Sequence, residues 1–194
     1  MSKSILDQRL DFLREIDKLK SVVRASPLIN NSLKENSAEH SWHLAMYALV
    51  FSEHSTAKVD LARVILMLLL HDIVEIDAGD TPIHGQDGPT DQMQKELQAA
   101  ERIFGLLPTS QGEEFRTIWL EFEAAETEEA RFAKSLDRLQ PFVHNVASGG
   151  GTWVDHNVSH QQVLERYGPT IEAGSAELWN RAENLAENHF EKDE

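Results

Sequence analysis

Between Leu61 and Asp77 the chain reads LARVILMLLLHDIVEID, apolar on nearly every helical face until His71 and Asp72. A helix of that kind needs neighbours on all sides, so it is expected at the centre of a helical fold, with Asp60 capping its start. Its strongest run, Val64 to Leu70, is far too short to span a bilayer. Two strong metal donors side by side, followed by Glu75, Asp77 and Asp80, are costly to bury without a cation. The alternative is a helix end that reaches solvent, where the dipole favours a protonated histidine.

The other segments also read as helices. Leu6, Leu10, Leu13, Ile16 and Leu19 recur at helical spacing, so about 5–21 is expected to be an amphipathic helix that ends before Pro27. Ser37 is placed to cap a helix running to about His54 that carries Glu39, His40, Trp42 and His43. GDTPIHGQDGP, 79–89, breaks every regular pattern and reads as a loop beside the apolar rod. Thr90 opens a helix through about Leu107, Ser110 with Glu113 has a capping-box pattern, and Thr127 can start a helix containing Lys134, Asp137 and Arg138. Pro141 is expected to kink or shorten that helix. After the triplet Gly149–Gly151, Ser159 with Gln162 repeats the capping-box pattern and Pro169 sits near the start of a long terminal helix. No segment reads as a strand.

Composition narrows the chemistry. With 33 acidic and 18 basic residues the formal charge is −15, which repels a nucleic-acid polymer or an anionic membrane. A small anion remains admissible, because a cation or a local arginine reverses the field inside a pocket. The chain of 194 residues has no cysteine, so disulfides, thiolate zinc sites and cysteine nucleophiles are excluded and any metal must use histidine and carboxylate. The first residues, MSKSILDQRLDFLREIDK, lack the apolar stretch of a signal peptide, and a cytoplasmic location is expected.

His40 lies one turn into its helix, and Asp137 sits between Leu136 and Leu139 in AKSLDRLQP, where each can point inward. The series His40, then His71-Asp72, then Asp137 resembles the HD-domain superfamily of metal-dependent phosphohydrolases. The phrases AEHSWHLA, LLLHDIVEIDAGDTP and AKSLDRLQP resemble its 5′-deoxynucleotidase branch more closely, over about residues 20–145. The resemblance implies an all-α, single-domain HD-type bundle over 1–194, with the metal-site core at about 20–145 and C-terminal helices at about 159–190. It also implies that His40, His71, Asp72 and Asp137 converge on one divalent ion.

Two imidazoles and two carboxylates suit Mn²⁺, Co²⁺, Fe²⁺ or Mg²⁺ without selecting one. Such an ion would polarise a phosphoryl group and acidify water, with Glu75 as general base. Asp80 matches an acidic position of the branch associated with substrate or the attacking water; it can equally be a turn-forming residue. Arg24 stands close to where the branch places a phosphate-binding arginine, and its guanidinium could clamp phosphate. The neighbouring branch position is usually aromatic, whereas Ala25 and Ser26 follow here. Lys134, one turn from Asp137, could add positive charge or be a solvated lysine.

The implied substrate is a small phosphorylated molecule, a nucleoside 5′-monophosphate, and the implied assembly is a homodimer. Alternatives stay open. His43, three residues after His40, could share a metal or pack at the rim, and His84 could ligate a second metal in a dinuclear phosphodiesterase or oxygenase. A noncatalytic, ligand-binding or oligomerising protein that keeps a metal for stability is the reading from another class.

Overall fold

The computed structural model describes residues 3–81, 83 and 89–191; His84, and with it the dinuclear alternative, lies outside the described residues. Helices dominate: α1 Ile5–Ile16, α2 Ser37–Phe51, α3 Leu61–Leu70, α4 Glu75–Ala78, α5 Pro89–Phe104, α6 Thr109–Ala124, α7 Glu128–Ala147, α8 Thr152–Asp155, α9 His160–Gly174 and α10 Ala176–Phe190. Among the described residues, no helix is long and apolar enough to cross a membrane.

The apolar rod is α3, which packs against α2, α6 and α7. Asp60 caps it by accepting from the Ala62 and Arg63 amides. Val64, Met67 and Leu68 are fully buried, but Leu69 is 44% exposed, so one stripe of this helix is not covered by the chain's own packing. At the other centre of the bundle α7 contacts α2, α3, α6, α9 and α10. Thr127 caps α7 through the Ala130 amide.

Several expectations need correction. The first amphipathic segment is α-helical only to Ile16 and continues as a 3₁₀ turn over Asp17–Ser21. Its stripe Leu6, Leu10 and Leu13 is exposed, and the segment is anchored by Phe12 and Leu19 instead. Asn36, not Ser37, caps α2, in a reciprocal box with Glu39. Pro108 precedes α6, which has no side-chain cap, so the Ser110–Glu113 pattern is not used. Pro141 does not end α7, which runs on to Ala147; the ring only removes the donor that the Asp137 carbonyl would otherwise meet. Pro169 lies inside α9, and the long terminal helix is two: α9 stops at Gly174, and Ser175 caps α10. A Cβ at Gly174 would come within 2.4 Å of the Arg131 carbonyl, which is why α9 can approach α7 there only through glycine.

The largest departure is a small antiparallel sheet, β1 Val23–Pro27 paired with β2 Lys34–Asn36 in the register Val23↔Asn36 and Pro27↔Lys34. VRASP alternates, but its one large apolar residue, Val23, is exposed and its buried residue is Ser26, while KEN is wholly polar, so neither segment has the apolar face that marks a strand. What they bury is polar: Ser26 and Glu35. The hairpin packs on α7 and α2 and brings Arg24 and Glu35 to the end of the rod.

Candidate metal centre

At the end of α3 the backbone tightens into a 3₁₀ turn, His71–Val74, before α4 begins at Glu75. All four residues of this turn are buried. Trp119 Nε1 donates to the His71 carbonyl at 3.2 Å, and the Phe122 ring lies 4.9 Å from the imidazole, so α6 holds His71 from backbone and ring alike. His71 Nδ1 faces the Leu68 carbonyl at 2.9 Å. A carbonyl only accepts, so Nδ1 carries the proton and Nε2 presents its lone pair.

That lone pair faces carboxylate oxygens: Asp72 Oδ1 at 2.9 Å and Asp137 Oδ1 at 3.6 Å. His71 Nε2 is buried and, among the described residues, has no hydrogen-bond partner. From α2, His40 Nε2 reaches Asp137 Oδ1 at 3.0 Å and Asp72 Oδ2 at 4.0 Å. One donor atom from each of His40, His71 and Asp72 lies within 4.8 Å of the others. Lone pairs converging on one another need a positive charge between them, and these donors suit a divalent cation.

Charge balance leads to the same place. Glu35, Asp72, Glu75 and Asp80 all lie within 3.9 Å of Arg24, and Asp72 Oδ2 is its nearest partner, 2.9 Å from Nη1. Although burial opposes ionisation, the His71 and Arg24 charges hold the Asp72 carboxyl below its ordinary pKa. Asp137, also opposed by burial, is held well below its ordinary pKa by the His40 and His71 imidazoles beside it. Burial, then the Asp72 charge, pushes Glu75 up to about 9, and burial raises Asp80 as well. For His71 burial favours the neutral ring, but Asp72 and Asp137 outweigh it and push the pKa up to about 10. In the metal-free protein a proton takes the cation's place.

The His40 ring is fixed from its other side. Nδ1 lies 3.1 Å from Gln140 Oε1 and 3.3 Å from Glu35 Oε2. Both are acceptors, so Nε2 is again the lone-pair nitrogen, the tautomer a metal requires. Beyond Gln140 lie His43 and His144, whose pKa values burial holds below the ordinary histidine value. His43 therefore does not join His40 at the first centre; it belongs to a separate group.

Arg24, Asp72, Glu75, Asp80, Asp137 and Arg138 share the wall of a cavity of about 140 Å³. Ser37 Oγ donates to Glu75 Oε2 at 2.6 Å, which leaves Oε1 for another partner. Asp80 Oδ2 accepts from the Ala25 amide at 3.4 Å, tying the loop after α4 to β1. Gly79, at φ 78° and ψ 156°, makes the turn that sends Asp80 back; that conformation is essentially confined to glycine. Lys134 is elsewhere: its ammonium pairs with Glu123 at 3.2 Å, 4.5 Å from the centre of the Phe122 ring, and it does not line this cavity. Arg138, one turn on, does line it, and among the described residues its buried Nε has no hydrogen-bond partner. Its place directly after Asp137 was the only signal available in the sequence.

A family model described as HD domain matches residues 16–179. A crystal structure of a predicted metal-dependent phosphohydrolase from Magnetospirillum magnetotacticum MS-1 is 46% identical, with a TM-score of 0.91 and 98% of each chain covered. The 5′-deoxynucleotidase HDDC2 of Mus musculus is 31% identical over 132 residues, 68% of this chain and 65% of its own. A 5′-deoxynucleotidase of Photorhabdus laumondii subsp. laumondii is 29% identical over 136 residues, 66% of this chain and 68% of its own. The chain spans about two thirds of the length of these curated relatives. A family match over most of the chain, on a helical fold that gathers His40, His71, Asp72 and Asp137 around one point, makes this protein a member of the HD-domain family.

Proposed function

We propose that the chain hydrolyses nucleoside 5′-monophosphates, deoxyribonucleotides in preference, to nucleoside and inorganic phosphate. The observation that carries this is the shared cavity in which Arg24 and Arg138 face Asp72, Asp137, Glu75 and Asp80. His40, His71, Asp72 and Asp137 would hold one divalent ion of the Mn²⁺, Co²⁺, Mg²⁺ or Fe²⁺ class. When bound, such an ion supplies Lewis-acid polarisation of a phosphoryl oxygen and acidifies water.

The remaining work falls to side chains. Arg24 exchanges its contacts with Asp72, Asp80 and Glu75 for the incoming phosphate, and Arg138 adds a second guanidinium. Glu75, oriented through the Ser37 hydroxyl, would take the proton from the attacking water at Oε1 once a bound cation offsets the burial and the Asp72 charge that raise its pKa. Asp80 positions substrate or water from the opposite wall. The names of the mouse and Photorhabdus relatives support the nucleotide as substrate. A homodimer and a cytoplasmic location belong to the same reading; the exposed stripe Leu6, Leu10 and Leu13 supports the former. Light scattering would test it, with Leu10→Glu expected to give monomers.

Phosphate release from a panel of deoxy- and ribonucleoside 5′-monophosphates, after chelation and readdition of each metal, tests the reaction. Release restored by metal and lost in Asp72→Ala is expected, with the deoxy-to-ribo ratio setting the sugar preference. No release from any nucleotide despite metal binding would defeat the proposal.

A further inference from the structure

On the Nδ1 side of His40, away from the reaction cavity, lies a second group of metal-type donors. Glu35 on β2, His43 on α2 and His144 on α7 each bring one donor atom within 4.8 Å of the others. Their donor atoms meet at the Gln140 amide, whose Nε2 is 2.7 Å from Glu35 Oε1, 3.3 Å from His43 Nδ1 and 3.2 Å from His144 Nε2. An amide nitrogen has two hydrogens, so it cannot satisfy three acceptors.

The tautomer of His144 is set from outside the group. Its Nδ1 faces the Pro27 carbonyl at 3.3 Å, so Nδ1 is the donor and Nε2 keeps its lone pair turned inward. An imidazole whose outer nitrogen is tied to a carbonyl is how proteins aim the inner one at a metal. Glu35 is 2% exposed; its Oε1 accepts from Gln140 Nε2, and its Oε2 lies 3.3 Å from His40 Nδ1 and 3.9 Å from Arg24 Nε. Glu35, His43 and His144, without Gln140, line a separate cavity of about 480 Å³ whose wall includes Asn30, Glu39 and Trp42. A cation can therefore reach the three donors without passing through the reaction cavity.

We propose that Glu35, His43 and His144 form a second divalent-metal site, independent of the first centre and suited to borderline cations of the Zn²⁺ class. Two imidazoles and one carboxylate are the donor set of an open three-residue zinc site, whereas Mg²⁺ and Ca²⁺ prefer oxygen alone. Binding displaces the Gln140 amide from the middle of the group. Because Glu35 also faces His40, the second cation sits one carboxylate away from the first.

The test is a metal count on the full chain, stripped by chelation, dialysed against Zn²⁺ and analysed by atomic emission. His43→Gln and His144→Gln are each expected to lower the count by one relative to wild type. In an Asp72→Ala background, which disables the first centre, one Zn²⁺ is expected to remain and to be lost when His144→Gln is added. His43 is only partly buried, so its variant remains informative if the His144 variant fails to fold. An unchanged count in either folded histidine variant overturns the proposal, whatever the first centre binds.

Discussion

The helix-borne half of the site and the hairpin-borne half are built by different physics. His40, His71 and Asp137 stand on or at the end of α2, α3 and α7, segments whose length and apolar burial hold them with or without a ligand. Arg24 and Glu35 ride on strands of five and three residues that bury no apolar side chain. Backbone pairing, the helices beneath and the ion pairs with the site hold that hairpin in place. The metal donors are thus preorganised by the core, and the groups facing substrate are organised partly by the charges they serve.

Substitutions can break this comparison. Removing a helix-borne donor is expected to have the largest effect: Asp137→Ala loses the metal and lowers phosphate release by ~10³-fold or more, since Lewis-acid stabilisation is worth several kcal/mol. Atomic emission together with steady-state kinetics reads both. Removing the hairpin's cation should act differently. Arg24→Ala is expected to keep its metal while kcat/KM falls about 10- to 100-fold, the worth of a charge-assisted hydrogen bond. Loss of metal in that variant would show that the two halves are not separable.

Gln140→Leu sharpens the boundary, because it removes an acceptor of His40 Nδ1 while leaving all four donors of the first centre in place. Mn²⁺ affinity, by titration calorimetry, is expected to weaken about 10- to 100-fold. The pH dependence follows from the raised pKa values of His71, up to about 10, and His40. Below those values the metal-free imidazoles hold protons that a metal must displace, so binding releases protons and affinity tightens as pH rises. The slope is about tenfold per pH unit for each proton released. An affinity independent of pH between 6 and 9 would contradict this. The smallest effect is expected at Gly79, where an added Cβ meets nothing among the described residues within 4 Å and the strain falls on the backbone. Gly79→Ala should cost about 1–3 kcal/mol in denaturant unfolding, with activity reduced through Asp80.

Much of this was legible in advance because it is written locally. Apolar periodicity marked the helices, Asp60, Thr127 and Ser159 marked three helix starts, and a buried rod ending in His71-Asp72 marked the place where a cation was needed. The hairpin carries no such mark. Strands of three to five residues are too short to show a dependable hydrophobic period, what these two bury is polar, and they are placed by partners distant in sequence, such as Asp72 for Arg24, 48 positions away. Lys134 and Arg138 show the same limit: both lie within one turn of Asp137, and only the packing of α7 against α6 decides that Lys134 meets Glu123 while Arg138 meets the cavity.

By itself, the sequence determined that the chain is helical, that it lacks thiolate chemistry, and that histidine and carboxylate must supply any metal's donors, because residue type and short-range spacing suffice for each. Tertiary structure alone decided that Arg24 faces four carboxylates, that Gln140 stands between two groups of donors, and that Glu35, His43 and His144 meet. Contacts between residues such as Arg24 and Asp72, 48 positions apart, or Glu35 and Gln140, 105 apart, leave no local signature, since what stabilises them is the charge and burial they create together.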